Sequence, residues 1–458
     1  MAETVERAEP GRAQTGLDSF FKLSERGTSV GTEIRAGVTT FLVMAYIIFV
    51  NPSILAAAGL DPASVAAGTA LVAGALSIAM GVVANYPLAL AAGLGLNGAV
   101  AFGLVLGDGL TPAGAMGVIV WEGVIVTVLV VVGLREAVMQ AVPLSLKRAI
   151  AVGIGLFILF IGFVNGGLIR QPEGEGPVPV EFVFPNTSFA ALTLIGLLIT
   201  IVLYTRKVPG ALVISILLTA AIGLIMGVTT IPDNVAVTPT FAGLPGFDLG
   251  NVFSILGGLA ALLTIFSFLL TDFFDTMGTA TGIVEQAGLT DEKGRIPGVG
   301  RLLFVDSLGA AAGGAVGVSS NTSYIESAAG VAEGGRSGLT AVVVGVLFLI
   351  GIFVSPLAAI IPFAATAPVL ILVGFLLAAQ MRDIDFRDVE EGLPALLTIV
   401  LMPLTFSITV GIGAGFVTHV LIKVVKGKAR QIHVLMWVVA LAFVVYFAQA
   451  LLGQAISA

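Results

Sequence analysis

Apolar runs long enough to cross a bilayer follow one another along most of the chain, separated by short polar breaks. A hydrocarbon layer of about 30 Å takes roughly 20 helical residues. Candidate spans of that order lie at 33–52, 65–84, 88–107, 113–133, 148–168, 188–205, 210–229, 254–283, 297–315, 318–333, 338–356, 366–380, 392–407 and 408–425, numbered below as segments 1 to 14. Segments 3 and 10 are interrupted by glycine and small polar residues, as in GLGLN (93–97) and GVSSN (317–321). A further apolar stretch, 431–453, is either an extra span or a peripheral helix. Residues 1–17 are polar, lack the apolar core of a signal peptide, and are expected to form a disordered tail.

Composition narrows the class. The 458 residues are 57% apolar and 11% charged, with a mean hydropathy of +1.08, whereas soluble domains carry about 25% charged residues. The expectation is an all-α polytopic membrane protein surrounded by lipid. The 58 glycines suit close helix packing and broken helices. Cysteine is absent, which removes disulfides, thiolate catalysis and cysteine metal sites. A net charge of −7 with few lysines speaks against a nucleic-acid partner. His419 and His433 stand alone, so no metal site is expected.

Basic residues give an orientation. Lys22, Arg26 and Arg35 precede or open segment 1; Arg135, Lys147 and Arg148 follow segment 4; Arg206 and Lys207 follow segment 6. Lys293, Arg295 and Arg301 come after segment 8, Arg336 after 10, Arg382 and Arg387 after 12, and Lys423, Lys426, Lys428 and Arg430 close segment 14. Loops 171–186 and 230–250 carry acids but no Lys or Arg. The positive-inside rule therefore places the N-terminus and the even-numbered loops in the cytoplasm.

The chemistry lies in acids at bilayer depth, where a charged side chain costs roughly 2.5 kcal/mol or more. Asp272 and Asp275 lie in LLTIFSFLLTDFFDTMGTATGIV (262–284), three apart and so on nearly one helix face. Glu326 follows the polar run Ser319, Ser320, Asn321, Thr322, Ser323 and Tyr324, which reads as unwound backbone facing a cavity. Protonated, a buried carboxyl donates a hydrogen bond; ionised, it only accepts. Such a switch can couple proton uptake to binding of a heteroaromatic ring. The bland readings are structural acids that cap or pair. Asn97 can make a bidentate contact to a base edge or serve as interhelical glue. Glu122 beside Trp121 reads as a structural or conformational partner, and Asp306 and Asn165 rank with it. Phe273 and Phe274 are stacking candidates, with core or lipid packing as the alternative. Asn97 and Asn321 fall at corresponding broken points of an inverted repeat of seven segments, the arrangement that marks a transporter's midplane site.

Other motifs carry nothing. GLGLNG (93–98) fits GxGxxG but follows no strand of a soluble βαβ unit, NTS (186–188) is a chance-level sequon, and no P-loop is present. An enzyme would need a nucleophile–base pair or a metal cluster. A channel would need long acidic rings.

At FFKLSERGTSVGTEIRAGVTTFLVMAYIIFVNPSIL (20–55), NYPLALAAGLGLNGAVAF (85–102), LTDFFDTMGTATGI (270–283), TSYIESAAGVAEGGRSGLTAVVVG (322–345) and EEGLPALLTIVLMPLTFSITVGIGAGF (390–416), the chain resembles nucleobase–cation symporters of the second family, of the azaguanine type. The resemblance covers most of 18–425. It implies two inverted seven-span repeats, fourteen spans in all, with short β-strands in spans 3 and 10. The implied divisions are a tail at 1–17, core domain at 18–133 and 251–356, gate domain at 134–250 and 357–425, and a C-terminal apolar segment at 426–458. It further implies secondary active import of adenine, guanine and hypoxanthine with protons, through elevator-like alternating access, by a homodimer in a prokaryotic cytoplasmic membrane. On this resemblance Asp272 and Asp275 recognise the purine and take part in proton coupling, Glu326 is the essential acid of span 10, and Asn97 contacts substrate. Ser320, Asn321 and Thr322 supply strand contacts. No cofactor is implied beyond the coupling proton; sodium is the alternative ion, since carboxylates and unwound carbonyls also suit it. The chain departs from the family at AAGLGLNG and SSNTS, which touch the site and put the preferred purine in doubt; a uracil or xanthine permease of the superfamily, or an anion carrier of the same fold, is the alternative.

Overall fold

In the computed structural model, which describes residues 16–133, 142–170, 172, 180–231, 238–291 and 296–457, helices occupy the predicted segments. Arg135, Lys293, Arg295 and nearly all of the tail 1–17 lie outside the described residues; helix Gly16–Phe21 begins just inside the predicted tail. Ten helices among the described residues are long and apolar enough to cross a membrane by length and composition, and Leu94–Gly107, Ala211–Ile225 and Val434–Ala448 are shorter apolar helices. Local chemistry sets several starts. Asp61 caps Pro62–Ala79 and Thr111 caps Pro112–Val131, each accepting from a backbone N–H three residues on, with proline in the first turn. That position suits proline because its missing N–H would be unpaired anyway.

Segments 3 and 10 each open on a strand of three residues, as the family resemblance implies. β1 (Leu90–Ala92) pairs antiparallel with β4 (Asn321–Ser323) in the register Leu90 with Ser323, Ala91 with Thr322 and Ala92 with Asn321, and both strands are fully buried. A separate hairpin joins β2 (Ile169–Arg170) to β3 (Glu181–Phe182) after segment 5. Left-handed backbone turns the chain sharply into each buried strand: Asn85 (φ 56°) before β1, Gly317 (φ 89°) and Ser319 (φ 72°) before β4. Ser319 is an uncommon residue for that region, and such strain collects at functional sites.

Packing partners recur between the two halves with a shift of seven. Segment 9 packs on 4 as segment 2 packs on 11; segment 1 meets 11 as 8 meets 4; 13 meets 5 as 6 meets 12; 6 meets 7 as 13 meets 14. Segment 5 on 12 and β1 on β4 map onto themselves. This is the signature of two inverted repeats related by an approximate twofold passing between the strands.

Segment 8 differs from the predicted 254–283. A short helix, Asn251–Leu256, ends at Gly257 (φ 79°), and the long helix Gly258–Gln286 starts afresh. Asn251 accepts from Thr111 N at 3.1 Å and Asp248 N donates to Ala113 O at 2.8 Å, so the entry is tied to the start of segment 4. The last apolar stretch is the helix Val434–Ser457, which packs on segments 14 and 8. Its Phe443 is fully buried, edge-on to Phe416, in a notch where a Cβ on Gly413 would come within 2.4 Å of the ring.

Candidate functional site

The two strands meet in the interior, and the acids gather round them. Asp272 is the central residue of the 29-residue helix Gly258–Gln286, about 21 Å from either end at 1.5 Å per residue. Glu122 lies in the middle of Pro112–Val131 and is fully buried. Ser320 Oγ, at the entry to β4, stands 3.2 Å from Asp272 Oδ1 and 3.4 Å from Glu122 Oε1. A second node is Asp306 on segment 9. Its carboxyl accepts from Thr276 Oγ1 at 2.6 Å, Ser323 N at 2.9 Å and Ser323 Oγ at 2.8 Å. Thr276 Oγ1 also lies 2.7 Å from Thr322 Oγ1, so segments 8 and 9 grip β4 from one side. A third node joins segments 1 and 10: Tyr46 OH donates to Glu326 Oε1 at 2.7 Å. Tyr46 stands at the break between Val30–Met44 and Ile47–Ala56, which turns its hydroxyl toward the acid.

Glycines make this proximity sterically available. A Cβ on Gly123 would come within 2.2 Å of Ala311 N, and one on Gly313 within 2.0 Å of Ser319 O. Backbones of segments 4 and 9 and the approach to β4 therefore touch directly, and Glu122 is carried against Ser320.

Asp272 lies within electrostatic reach of Glu122, Asp306 and Asp275, Glu122 of Asp306, and Asp275 of Asp306 and Glu326. None of the five acids pairs with a Lys or Arg among the described residues. Asp306 is well supplied with donors, but several neighbours are not. Both polar atoms of the Asn97 amide, Asp272 Oδ2, Glu122 Oε2, Ser319 Oγ, Thr271 Oγ1 and Asn321 Oδ1 are buried without a hydrogen-bond partner. The large majority of buried side-chain polar atoms are paired, so a concentration of orphans on segments 3, 4, 8 and 10 calls for an explanation. No group of three or more metal-ligating side chains occurs among the described residues.

The predicted residues thus divide. Asp272, Ser320, Asn321, Thr322, Glu122 and Asp306 come together at β4. Glu326 sits one turn on, beyond Tyr324, whose hydroxyl donates to Ala92 O across the strands. Asn97, on the short helix Leu94–Gly98 that follows β1, is buried. Asp275 is half-buried, with no hydrogen-bond partner among the described residues. Phe273 lies in the apolar core with Phe274 edge-on at 5.6 Å, and Lys147 Nζ stands 5.2 Å over the Phe274 ring. Asn165 ends the helix of segment 5. Tyr46 was missed from sequence, while Thr276 and Ser323 stood out only as members of polar runs and not as site residues. Only the polar stripe TDFFDTMGT (271–279) and the hydroxyl-rich SSNTSY (319–324) hinted at the last two.

The model of the Permease family (Xan_ur_permease) matches residues 31–414. Adenine permease AdeQ of Escherichia coli is 42% identical over 429 residues, covering 93% of this chain and 95% of its own. Guanine/hypoxanthine permease PbuG of Bacillus subtilis is 39% identical, covering 94% and 99%. Among solved structures, the transmembrane domain of the cyanobacterial bicarbonate transporter BicA superposes with a TM-score of 0.62 at 17% identity, over 84% of this chain and 97% of that one. Murine solute carrier 26 family member A9 gives 0.62 at 11%, over 92% and 73%. These two share the inverted-repeat fold with the present chain; at such identity they speak to fold alone.

Proposed function

The chain belongs to the Permease family, and from that premise we propose that it imports purine nucleobases, namely adenine, guanine and hypoxanthine, by proton symport. The observation that carries this reading is the set of orphaned polar atoms on segments 3, 4, 8 and 10. A planar base offers ring NH donors and ring nitrogen and carbonyl acceptors. The Asn97 amide can donate and accept at once, Asp272 presents a free oxygen, and the start of β4 presents Ser319, Ser320, Asn321 and Thr322. Thr322 and Thr276 steady one edge, and Phe273, next to Asp272 on the same helix, is the stacking candidate. Asp272, Asp275 and Glu326 take part in proton coupling: a carboxyl that changes from donor to acceptor changes the pattern offered to the base. The relatives named for adenine and for guanine and hypoxanthine support the substrate class.

In this reading, segments 1–4 (18–133) and 8–11 (251–356) form a core that carries the site, and segments 5–7 (134–250) and 12–14 (357–425) form a gate. Fourteen spans, an elevator-like movement of core against gate, a homodimer, and a cytoplasmic N-terminus in a prokaryotic inner membrane complete it. Segment pairings such as 9 on 4 and 11 on 2, against 5 on 12 and 13 on 14, favour that division.

The test is uptake of labelled adenine, guanine, hypoxanthine, xanthine and uracil in cells lacking their own purine carriers, with and without a protonophore. Saturable, protonophore-sensitive purine uptake is expected, falling by roughly tenfold or more, about 1.4 kcal/mol, in Asp272→Asn, Asp275→Asn and Glu326→Gln. Uptake of uracil or xanthine alone would move the substrate. Dependence on a sodium gradient instead would replace the ion. No nucleobase uptake by well-expressed protein would remove the reading.

A further inference from the structure

Counting protons around Ser320 leads further. Its hydroxyl carries one hydrogen and two lone pairs, yet it stands within bonding reach of two carboxyls, Asp272 at 3.2 Å and Glu122 at 3.4 Å. It can donate to one of them only. If the other were an acceptor too, the contact would set oxygen lone pairs against each other. Two ionised acids would then lie buried side by side with no cation among the described residues, since the charged groups near them are further acids: Asp275 on the same helix as Asp272, and Asp306 on segment 9. An uncompensated buried charge pair of one sign is among the least stable arrangements in a protein. One added proton resolves both problems. One carboxyl is then a hydroxyl donor to Ser320 Oγ, which donates onward to the other carboxylate.

We propose that Glu122 and Asp272 hold a single proton between them through Ser320, and that this shared proton is the one moved with the substrate. Glu122 is thereby a coupling residue and not a packing acid. The transfer conserves atoms and charge. The O–H bond of one carboxyl breaks as its proton passes to Ser320 Oγ, while the serine's own O–H breaks and its proton passes to the other carboxylate. No electrons are exchanged. When the proton sits on Glu122, Asp272 is an acceptor and its free Oδ2 suits a ring NH. When it sits on Asp272, that oxygen can donate. The proton's position across Ser320 thus sets which face the site shows to a base. The second part of the proposal rests on the symport reading above; the first part does not.

Two measurements on the full-length protein separate these parts. Infrared spectra of purified protein in lipid films at neutral pH report the carbonyl stretch of protonated carboxyls, which carboxylates lack. A shared proton predicts one such band removed by Glu122→Gln and also by Asp272→Asn, because losing either acid relieves the repulsion that kept the other protonated. Ser320→Ala shifts the same band. Two separate bands, one lost per substitution, or a spectrum indifferent to Glu122→Gln, would overturn the shared proton. In proteoliposomes under an imposed gradient of one pH unit, one coupled proton sustains about tenfold hypoxanthine accumulation. Glu122→Gln is expected to bring that ratio down to about one, with counterflow exchange measured in the same vesicles as the index of folded carrier. Tenfold accumulation by Glu122→Gln would overturn its coupling role. If wild-type protein moves no purine, the symport reading fails by itself and the infrared result still decides the proton.

Discussion

Tyr46 and Glu326 show what a single hydroxyl can do at the site. The tyrosine is 1% exposed, and its hydroxyl reaches the acid of segment 10 at 2.7 Å. In Tyr46→Phe the acid loses its donor while the ring's packing stays. Purine uptake should fall about tenfold, since a buried group left unpaired costs about 1–3 kcal/mol. Combined with Glu326→Gln the two losses should not add, with a coupling of about 0.5 kcal/mol or more; strict additivity would mean the pair does not act together. Glu390 poses the opposite case. Lys423, Lys428 and Lys426 all pair with it just ahead of segment 13, and Lys423 foremost holds its carboxyl below the usual glutamate value of 4.5. A lowered folded value means the stabilisation is complete above about pH 5 and is lost as pH falls through 4.5 and below. The Tm gap between wild type and Glu390→Gln should therefore be steady at neutral pH and close in acid. A gap that widened in acid would reverse the sign and the explanation. Asp272, Asp275 and Glu326 could be singled out from sequence because acids in apolar runs are expensive. Tyr46 was not, because an aromatic in MAYIIFV (44–50) looks like any other membrane residue until the fold brings it to Glu326.

Strand β4 is held in place by absent side chains as much as by present ones. Gly313 faces Ser319 O and the Asn321 amide, where a methyl would intrude to 2.0 and 2.4 Å. Ser319 O is backbone, and the Asn321 amide at the end of its side chain donates to that same oxygen at 3.2 Å, so Gly313→Ala must push the strand entry away from segment 9. Overpacking of this kind costs about 1–3 kcal/mol, and here it also displaces Ser320 from Asp272 and Glu122. Uptake should drop more steeply than Tm would suggest. Gly282 is the control: it lies exposed in the same helix as Asp272 with nothing within 4 Å of its Cβ position. Gly282→Ala should be neutral or slightly stabilising, because glycine weakens a helix interior by about 0.5–1 kcal/mol. Equal effects at the two glycines would dispose of the steric account. The interruptions in segments 3 and 10 were readable from GLGLN and GVSSN. Their antiparallel register was not, because LAA (90–92) and NTS (321–323) are too short for any strand periodicity and are set by helices packed around them.

Across the whole molecule, the packing of the helix Val434–Ser457 bears on which side of the membrane the C-terminus lies. Hydropathy alone left this stretch between a span and a surface helix, because both are apolar. The packing separates them. Its 24 residues rise about 36 Å, and the part apolar enough to lie in lipid is Val434–Ala448. One face is buried through Met436, Ala440 and Phe443 against segments 14 and 8, while Val434, Val438 and Leu441 are exposed as lipid-facing residues are. It begins beside Lys423, Lys426 and Lys428, and by Tyr446 it has come within electrostatic reach of Asp108 at the far end of segment 3. A helix resting on the surface could not touch both the lysine side of segment 14 and the end of segment 3 that joins segment 4. On the proposed topology of a cytoplasmic N-terminus and fourteen preceding crossings, a fifteenth would leave the C-terminus outside. A phosphatase reporter fused to the C-terminus, active only when exported, should therefore be active, and the same reporter fused after Lys428 inactive. Activity after Lys428 together with silence at the C-terminus would mean the whole orientation is inverted. Silence at both would mean that the helix does not cross.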